Sequence, residues 1–113
     1  NETGGVLIGA YDIARKRIYV VCQVRAPEDS ISSPTSFIRG CANLPERPKY
    51  IHETTLDNLT YIGEWHSHPS ANTQRSTDDV KLHKAITGYN REKCLPGCMM
   101  ILGTDNFSIY IDE

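Results

Sequence analysis

The stretch Gly63–Pro69, which reads GEWHSHP, and the segment Ser76–Asp79, which reads STDD, carry most of the structural information in this chain. Apolar residues precede the first stretch and favour a β-strand, in which side chains two apart point to the same face. His66 and His68 therefore project side by side at the end of that strand. Pro69 then ends the strand, because proline interrupts regular backbone hydrogen bonding.

A carboxylate follows at a spacing that can bring it back to the two imidazoles. Ser76 is a favourable helix N-cap, and Asp79 falls in the first turn of the helix that begins there. Two histidines and one carboxylate leave a fourth zinc position open for water, which is typical of catalytic rather than structural sites. Ser76 and Asp79 also fit a capping box, in which the carboxylate reaches back to the N-cap N–H. Ligation and capping both remain open for Asp79.

The beginning of the chain supplies one more acidic residue. Glu2 precedes the glycine-flanked apolar run Thr3–Gly9, TGGVLIG. With GEWHSHP and STDD, this order resembles the JAMM (MPN+) metalloprotease family, whose pattern is a Glu followed by H-S/T-H-P-x6-S-x-x-D. Every position of the pattern is present, and the likeness spans nearly the whole chain. It is greatest to the bacterial branch, which includes deconjugating proteases associated with CBASS antiphage operons.

The resemblance implies a role for each motif residue. One zinc ion per chain would be held by three side chains, His66, His68 and Asp79. Glu2 would transfer protons between water and the leaving amine, and Ser76 would donate a hydrogen bond to the tetrahedral oxyanion. Ser67 points away from the metal by strand alternation and is assigned to structure, and Trp65 is expected to pack in the core under the site.

The activity implied by the resemblance is cleavage of a peptide or isopeptide bond after the C-terminus of ubiquitin or a ubiquitin-like modifier. The expected partner is such a modifier or its protein conjugate. A peptidase that trims a sulfur-carrier protein would share every site residue and stays open. A catalytically silent scaffold is disfavoured, since metal-free relatives typically lack motif residues. A zinc deaminase is disfavoured too, because its paired Cys-x-x-Cys element is missing.

Length and composition restrict the number of domains and the classes of partner. The chain has 113 residues, 39% of them hydrophobic and 23% charged, and a net charge of -2. This predicts one globular domain, residues 1–113, and gives no support to nucleic acid or an anionic membrane as a partner. No apolar run approaches the ~18 residues of a membrane span. Without a visible signal peptide, we expect a cytoplasmic protein.

The position of Glu2 leads to an expectation about the natural protein. A general base must be held within hydrogen-bond reach of its water, whereas chain ends fray unless they are tied down. The resemblance implies a strand and a helix before this glutamate. We therefore expect the natural protein to continue upstream of Asn1, with those elements, or else Glu2 to be anchored by a partner or by strand pairing through Thr3 and Gly4.

Hydrophobic periodicity predicts an α/β (α+β) domain, and the resemblance implies a mixed β-sheet flanked by helices, the JAB/MPN fold related to the cytidine deaminase architecture. The first strand should be buried on both faces and form a hairpin with the second. A loop is expected over Ala26–Pro34. The predicted strands are Gly5–Tyr11, Ile18–Val24, Ser36–Arg39, Thr60–His66, Cys98–Leu102 and Phe107–Ile111.

Two helices are predicted. The first runs from about Pro48 to Asn58, where apolar residues recur with helical spacing. The second covers Thr77–Tyr89, and its expected buried stripe consists of Leu82, Ala85, Ile86 and Tyr89. His52 and His83 fall on these helices and are expected to be surface or partly buried side chains rather than ligands.

The cysteines are expected to be four free thiols with no part in catalysis, because none belongs to a nucleophile motif and disulfides are disfavoured in the cytosol. Cys22 lies in an apolar strand and is interpreted as a core thiol. A second metal site using Cys41, Cys94 and Cys98 is a weaker alternative, since the gap between the last two is not that of common zinc knuckles.

Overall fold

The computed structural model describes residues 3–25, 31–32, 37–38 and 59–113 of the chain. The predicted helix at about Pro48–Asn58 lies outside these ranges, as do Glu2, Cys41 and His52. Seven strands and one helix occur within them: β1 (Gly4–Asp12), β2 (Arg17–Arg25), β3 (Ile31–Ser32), β4 (Phe37–Ile38), β5 (Thr60–Ser67), α1 (Thr77–Arg91), β6 (Gly97–Leu102) and β7 (Phe107–Asp112).

The described strands form a mixed sheet in the order β2-β1-β5-β6-β7, and β3 pairs with β4 in a separate short ribbon. Strands β5 and β6 run parallel, and every other neighbouring pair is antiparallel. Parallel neighbours need a crossover connection, and α1 supplies it here. The domain is therefore α+β, as predicted. Nowhere in the described ranges does a helix reach the length and hydropathy of a membrane span.

Strand β1 is the centre of the core. Val6 and Ile8 pack with Val24 in one cluster, whereas Leu7 packs with Ile62 and Cys98 in another. Successive side chains of a strand point to opposite faces, so both faces of β1 are covered. Its hairpin with β2, joined through the turn after Asp12, is confirmed by their antiparallel register. Both predictions for this strand are therefore correct.

Two glycines permit close approach around β5 and β6. A side chain at Gly63 would collide with the backbone carbonyl of Cys98 in the neighbouring strand, and one at Gly97 would collide with Thr87 of α1. The missing Cβ atoms let the sheet stay regular at the first position and let the helix lie close against the sheet at the second. Because α1 carries Asp79, this packing positions a predicted ligand.

The region after β2 differs from the prediction. Ile31–Ser32, inside the predicted loop Ala26–Pro34, forms β3 and pairs antiparallel with Phe37–Ile38. The predicted strand at Ser36–Arg39 is confirmed at its two central residues. A ribbon this short is fixed by pairing with its partner strand rather than by local hydrophobic alternation, and so its first half carried no clear sequence signal.

The buried face of α1 also differs from the prediction. Ile86 is buried as expected, whereas Leu82, Ala85 and Tyr89 are exposed. The buried residues of the helix are Asp79, His83, Ile86, Thr87 and Asn90. Most of that face is polar. His83, Thr87 and Asn90 donate hydrogen bonds to backbone carbonyls, which offsets part of the cost of burying them. The predicted stripe is therefore correct at Ile86 and wrong at its other three positions, because apolar periodicity does not detect a buried polar face.

The interpretation of Cys22 as a core thiol is wrong. Cys22 is exposed, and so are Tyr19, Val20 and Val21 beside it on β2. Strand β2 lies at the edge of the five-stranded sheet, so one of its sides lacks a neighbouring strand of that sheet. An apolar run indicates a strand but does not indicate where in the sheet that strand will lie.

Candidate metal centre

Sheet register directs His66 toward the helix. His66 of β5 is paired with Ile101 of β6, and Ile101 packs against Ile86 of α1. Paired residues of neighbouring strands share a face of the sheet, so His66 lies on the face that α1 covers. His68 follows two residues later at the carboxyl end of the strand. Crevices at the carboxyl ends of parallel strands are common ligand sites in α/β folds.

The N-terminus of α1 brings the carboxylate to the same point. Ser76 is the N-cap, with an extended backbone, and its hydroxyl accepts from the Asp79 N–H at 3.1 Å. The Asp79 carboxylate accepts from the Ser76 N–H at 2.8 Å in return. Both halves of the predicted capping box are thus present, and they fix the rotamer that presents Asp79 to the histidines.

His66, His68 and Asp79 converge as the spacing predicted. Nε2 of His66 lies 2.9 Å from Oδ1 of Asp79, and Nε2 of His68 lies 3.2 Å from Oδ2. One potential ligand atom from each residue can be chosen so that all lie within 4.8 Å of one another. Ligand atoms around a tetrahedral zinc ion lie about 3.3–3.5 Å apart. The three side chains therefore lie close enough together to hold a metal ion.

The hydrogen bonds of His68 determine which of its nitrogens can bind a metal. Nδ1 lies 2.9 Å from the backbone carbonyl of Asn72, and a carbonyl can only accept, so Nδ1 carries the proton. In the neutral ring the lone pair is then on Nε2, which faces Asp79. A second hydrogen bond of this kind fixes the orientation and tautomer of metal-ligating histidines. The Asn72 carbonyl therefore leaves Nε2 of His68 as the nitrogen that could bind a metal, a contribution that the motif did not indicate.

The environment of His66 Nε2 is the feature that most directly favours a bound cation. This buried atom has no hydrogen-bond partner among the described residues, although an oxygen of Asp79 lies 2.9 Å away. Two close polar atoms without hydrogen-bond geometry are costly in a buried site unless something else satisfies them. A cation between the imidazole and the carboxylate would do so. The donor set and this orphaned atom both fit a divalent metal such as zinc.

The carboxyl of Asp79 remains ionised in this setting. Burial by itself would raise the pKa of Asp79, but the His66 imidazole and the Ser76 backbone N–H lower it, so the net pKa lies well below its ordinary value. The position in the first turn of α1 acts in the same direction, because the helix dipole favours negative charge there. An ionised carboxylate is the form that binds a metal.

Ser76 retains a free donor in spite of its capping role. Its hydroxyl oxygen accepts the Asp79 N–H, which uses a lone pair and leaves the hydroxyl proton available. The side chain is exposed beside the group formed by His66, His68 and Asp79. Capping and oxyanion binding are therefore compatible in this residue. Glu2, the predicted base, lies outside the described residues, and its role stays a prediction.

The loop between Pro69 and Ser76 is held by β7 and by Asn106, which precedes it. The strand was predicted, but its contacts with the loop were not. The Tyr110 hydroxyl donates to the Thr73 carbonyl at 2.8 Å, and the Thr73 and Ser108 hydroxyls lie 2.6 Å apart. Asn106 donates to the Ala71 carbonyl at 3.1 Å. These contacts fix the segment that carries Asn72, whose carbonyl orients His68.

His83 is buried rather than a surface or partly buried side chain, with 2% of its area exposed. Nε2 lies 2.9 Å from the Gly97 carbonyl, so it carries the proton, and Nδ1 then accepts from the Arg75 guanidinium at 2.9 Å. Arg75 also stacks 4.7 Å from the centre of the Tyr110 ring. His83 thus supports the residue directly before the N-cap Ser76. Both ring nitrogens of His83 therefore contact protein groups.

The candidate metal cluster contains none of the cysteines that the structure describes. Cys22, Cys94 and Cys98 are free, as predicted, and Cys41 lies outside the described residues, so the alternative metal site that includes it stays untested. Cys98 is buried, and this burial raises the pKa of its thiol to about 11. Such a thiol is a poor nucleophile. Trp65 packs on the Leu7 cluster, on the opposite side of β5 from His66 by strand alternation, as expected for a core residue.

The chain is similar to a curated relative and to a solved structure. The protein named CD-NTase/cGAS isopeptidase from Enterobacter hormaechei subsp. hoffmannii (strain UCI 50) is 37% identical over 110 residues, which cover 97% of this chain and 59% of that protein. This chain thus spans about three fifths of the length of that relative. The solution structure of protein DSY2949 from Desulfitobacterium hafniense aligns with 100% of this chain and 76% of its own, at 18% identity and a TM-score of 0.49.

The family itself is identified by a match that extends over almost the whole chain. Residues 1–111 match the family Prok-JAB, described as prokaryotic homologs of the JAB domain. The matched region contains β1, the His66–His68 strand end and the start of α1, which together build the candidate metal centre. This chain therefore belongs to the family of prokaryotic JAB-domain homologs.

Proposed function

We propose that this protein is a zinc-dependent isopeptidase that removes a ubiquitin-like modifier from a protein conjugate. The observation that carries the proposal is the convergence of two imidazoles, buried in His66 and partly buried in His68, on one ionised carboxylate. Nε2 of His66 has no hydrogen-bond partner among the described residues. Such a three-residue set leaves a position for water and substrate, as hydrolytic zinc sites do. Zinc held by His66, His68 and Asp79 would supply a Lewis acid that polarises the scissile carbonyl and makes water more acidic.

Residues of the protein carry out proton transfer, oxyanion binding and orientation of the ligands. Glu2 takes a proton from the attacking water and delivers it to the leaving amine, which is the task of a general base that later acts as an acid. The Ser76 hydroxyl donates to the oxygen of the tetrahedral oxyanion, since its proton is not used by the cap. Asn72 holds the productive tautomer of His68. The contacts of Tyr110 and Ser108 with Thr73 keep this constellation in place.

The substrate is proposed from the name of a relative. The 37% identical protein is named CD-NTase/cGAS isopeptidase, which makes a conjugate of a CD-NTase with a protein modifier the first substrate to test. The extended C-terminal tail of such a modifier is the part that a protease must hold, and peptides of this kind commonly bind by adding a strand to a sheet edge. A sulfur-carrier precursor is the alternative substrate and serves as a comparison in the test.

The decisive experiment incubates the purified protein with a modifier joined through its C-terminus to a CD-NTase. We expect release of the intact modifier, loss of release on adding a chelator, and recovery on adding back zinc. Parallel reactions contain a sulfur-carrier precursor and an unmodified CD-NTase. Mass spectrometry of the products identifies the cleaved bond.

A matched variant makes the result specific to the candidate site. His66→Gln keeps a polar side chain of similar reach but lacks an imidazole nitrogen, so it should lose both zinc and cleavage. His83→Gln changes a buried histidine that is not a ligand and should keep zinc. Release of the modifier by zinc-free protein, or by the His66→Gln variant at the wild-type rate, would contradict the proposal. If only the sulfur-carrier precursor is cleaved, the proposed substrate is wrong, whereas the proposed zinc-dependent hydrolysis stands.

A further inference from the structure

The end of β1 is joined to β5 by an unusual pair of hydrogen bonds. The Ser67 N–H donates to the Thr3 carbonyl at 2.8 Å, and the Thr3 N–H donates to the Ser67 hydroxyl oxygen at 2.9 Å. Ser67 thereby binds both main-chain polar groups of Thr3. Gly4 and His66, one step further into the sheet, form the neighbouring register pair.

The second of these bonds departs from the ordinary ladder. In an antiparallel pair that exchanges both bonds, the Thr3 N–H would donate to the main-chain carbonyl of its partner. Here a side-chain oxygen replaces that carbonyl, at the residue where the chain is about to turn into Pro69. Strand ends fray when their main-chain groups are not tied down, and Thr3 is exposed. The Ser67 hydroxyl thus extends the fixed part of β1 by one peptide group.

That peptide group is the one that joins Glu2 to Thr3. The Thr3 nitrogen, its hydrogen, the preceding carbonyl and the Glu2 Cα belong to one planar unit. A bond that fixes the direction of the Thr3 N–H therefore restricts where the Glu2 Cα can lie. Ser67 also lies between the two histidines of the candidate metal centre in the sequence. It is therefore bonded to Thr3, the residue after the proposed base, and covalently joined to both proposed ligands.

We propose that Ser67 is a positioning residue that holds the general base Glu2 in register with the metal ligands, through its hydroxyl bond to the Thr3 N–H. The inference rests on the proposed function, because it takes Glu2 to be the base. Ser67 touches neither substrate nor metal in this account. Its effect on the reaction comes through the placement of another residue, where a misplacement of about 1 Å can reduce the rate on the order of 100-fold.

The test compares Ser67→Thr with Ser67→Val, since these side chains have the same β-branched shape and differ by a hydroxyl against a methyl group. Both suit a strand. The Val variant should show faster hydrogen exchange at the Thr3 amide by about tenfold or more, because a bond that protected it is gone. Its kcat should fall by about tenfold or more with little change in KM, while zinc content stays that of the wild type. The Thr variant, which keeps the hydroxyl, should show the wild-type exchange rate at Thr3 and the wild-type kcat, KM and zinc content.

A pH–rate profile separates positioning from simple support of the sheet. A displaced base should shift the acidic limb of the kcat profile in the Val variant and leave it in place in the Thr variant, whereas a merely structural bond would leave it unchanged in both. If the Val variant keeps wild-type kcat and profile while the wild type is active, the inference is wrong and the proposed function stands. If the wild type itself shows no zinc-dependent cleavage, both fail together. Ser67→Ala, measured alongside, covers the case in which Val does not fold.

Discussion

Ser76 and Asp79 cap each other at the start of α1, and the same Asp79 oxygen that accepts the Ser76 N–H at 2.8 Å faces Nε2 of His68 at 3.2 Å. One carboxylate therefore caps the helix and also faces the histidines of the candidate metal centre. Two roles that the sequence left as alternatives for Asp79 are compatible in one rotamer. The capping bond fixes the rotamer, and this preorganises the ligand without a further residue.

This double role can be separated with Asp79→Asn. The amide still offers an oxygen to the Ser76 N–H, so the cap survives, but the negative charge is lost. Zinc affinity should fall by more than about 100-fold, since even losses outside the ligand sphere cost about 10–100-fold. Asp79→Ala should lose zinc equally and, in the metal-free state, be less stable than the Asn variant by about 1 kcal/mol. Elemental analysis and urea unfolding measure the two effects. Full zinc content in the Ala variant would leave capping as the role of Asp79.

The two roles of Ser76 call for a different pair of substitutions. Ser76→Gly should cost only a few tenths of a kcal/mol in stability, whereas Ser76→Ala should cost about 1 kcal/mol, because glycine is tolerated at an N-cap and alanine is not. Both remove the hydroxyl proton, so both should lower kcat by about 100- to 1000-fold. Steady-state kinetics and thermal unfolding separate the effects. A Gly variant with nearly wild-type kcat would mean that Ser76 only caps the helix.

The sequence predicted the site better than its surroundings. Strand alternation and a helix start were sufficient to bring His66, His68 and Asp79 together, because these are local regularities of the backbone. The support of the loop by Tyr110 depends on how β7 lies beside it, and no local pattern carries that information. The Asn72 carbonyl that orients His68 was missed for the same reason.

The errors on α1 and β2 have a common physical origin. His83 is buried because the Gly97 carbonyl and Arg75 satisfy its two nitrogens, and those partners come from other parts of the fold. Cys22 is exposed because β2 is an edge strand, which follows from the order of the sheet. Hydropathy describes what a residue prefers on average, whereas burial also depends on partners that only the tertiary structure supplies.

The assignment of Glu2 can be tested without disturbing the ligands. Glu2→Gln should retain zinc and the wild-type unfolding curve but lower kcat by at least about 100-fold, because general acid–base catalysis contributes about 100- to 10,000-fold. Elemental analysis accompanies the kinetics. Loss of zinc in this variant would make Glu2 a ligand, and cleavage at close to the wild-type rate would remove it from the mechanism.

Thiol chemistry should prove irrelevant to activity. Iodoacetamide at pH 8 should label the exposed Cys22 and Cys94 and largely spare Cys98, which is buried and whose pKa is raised to about 11. At that pH roughly one part in a thousand of the Cys98 thiol would be ionised. Peptide mapping gives the labelled positions. Cleavage should persist after labelling and stop on adding a chelator, and the reverse pattern would point to a cysteine protease.

Asn90 joins the end of α1 to the sheet. Its side-chain amide donates to the Ile62 carbonyl at 3.0 Å and to the Pro96 carbonyl at 2.9 Å, and the residue is fully buried. Asn90→Ala leaves two carbonyls without their donor and should lower the free energy of unfolding by about 2 kcal/mol. Asn90→Asp should be worse, about 3–5 kcal/mol at neutral pH, because a buried carboxylate would face two carbonyl oxygens without a donor.

The pH dependence of Asn90→Asp provides the control. Burial beside two acceptors raises the pKa of the introduced carboxyl in the folded state above the ordinary value of about 3.9, so the folded protein binds its proton more tightly than the unfolded chain. The protonated form can donate one of the two lost bonds. The deficit of the Asp variant relative to Ala should therefore be small near pH 4 and grow as the pH rises toward neutrality. Urea unfolding at both pH values measures it. Equal deficits at the two pH values, or an Asp variant as stable as the wild type, would show that the amide donors of Asn90 do not hold α1 against β5.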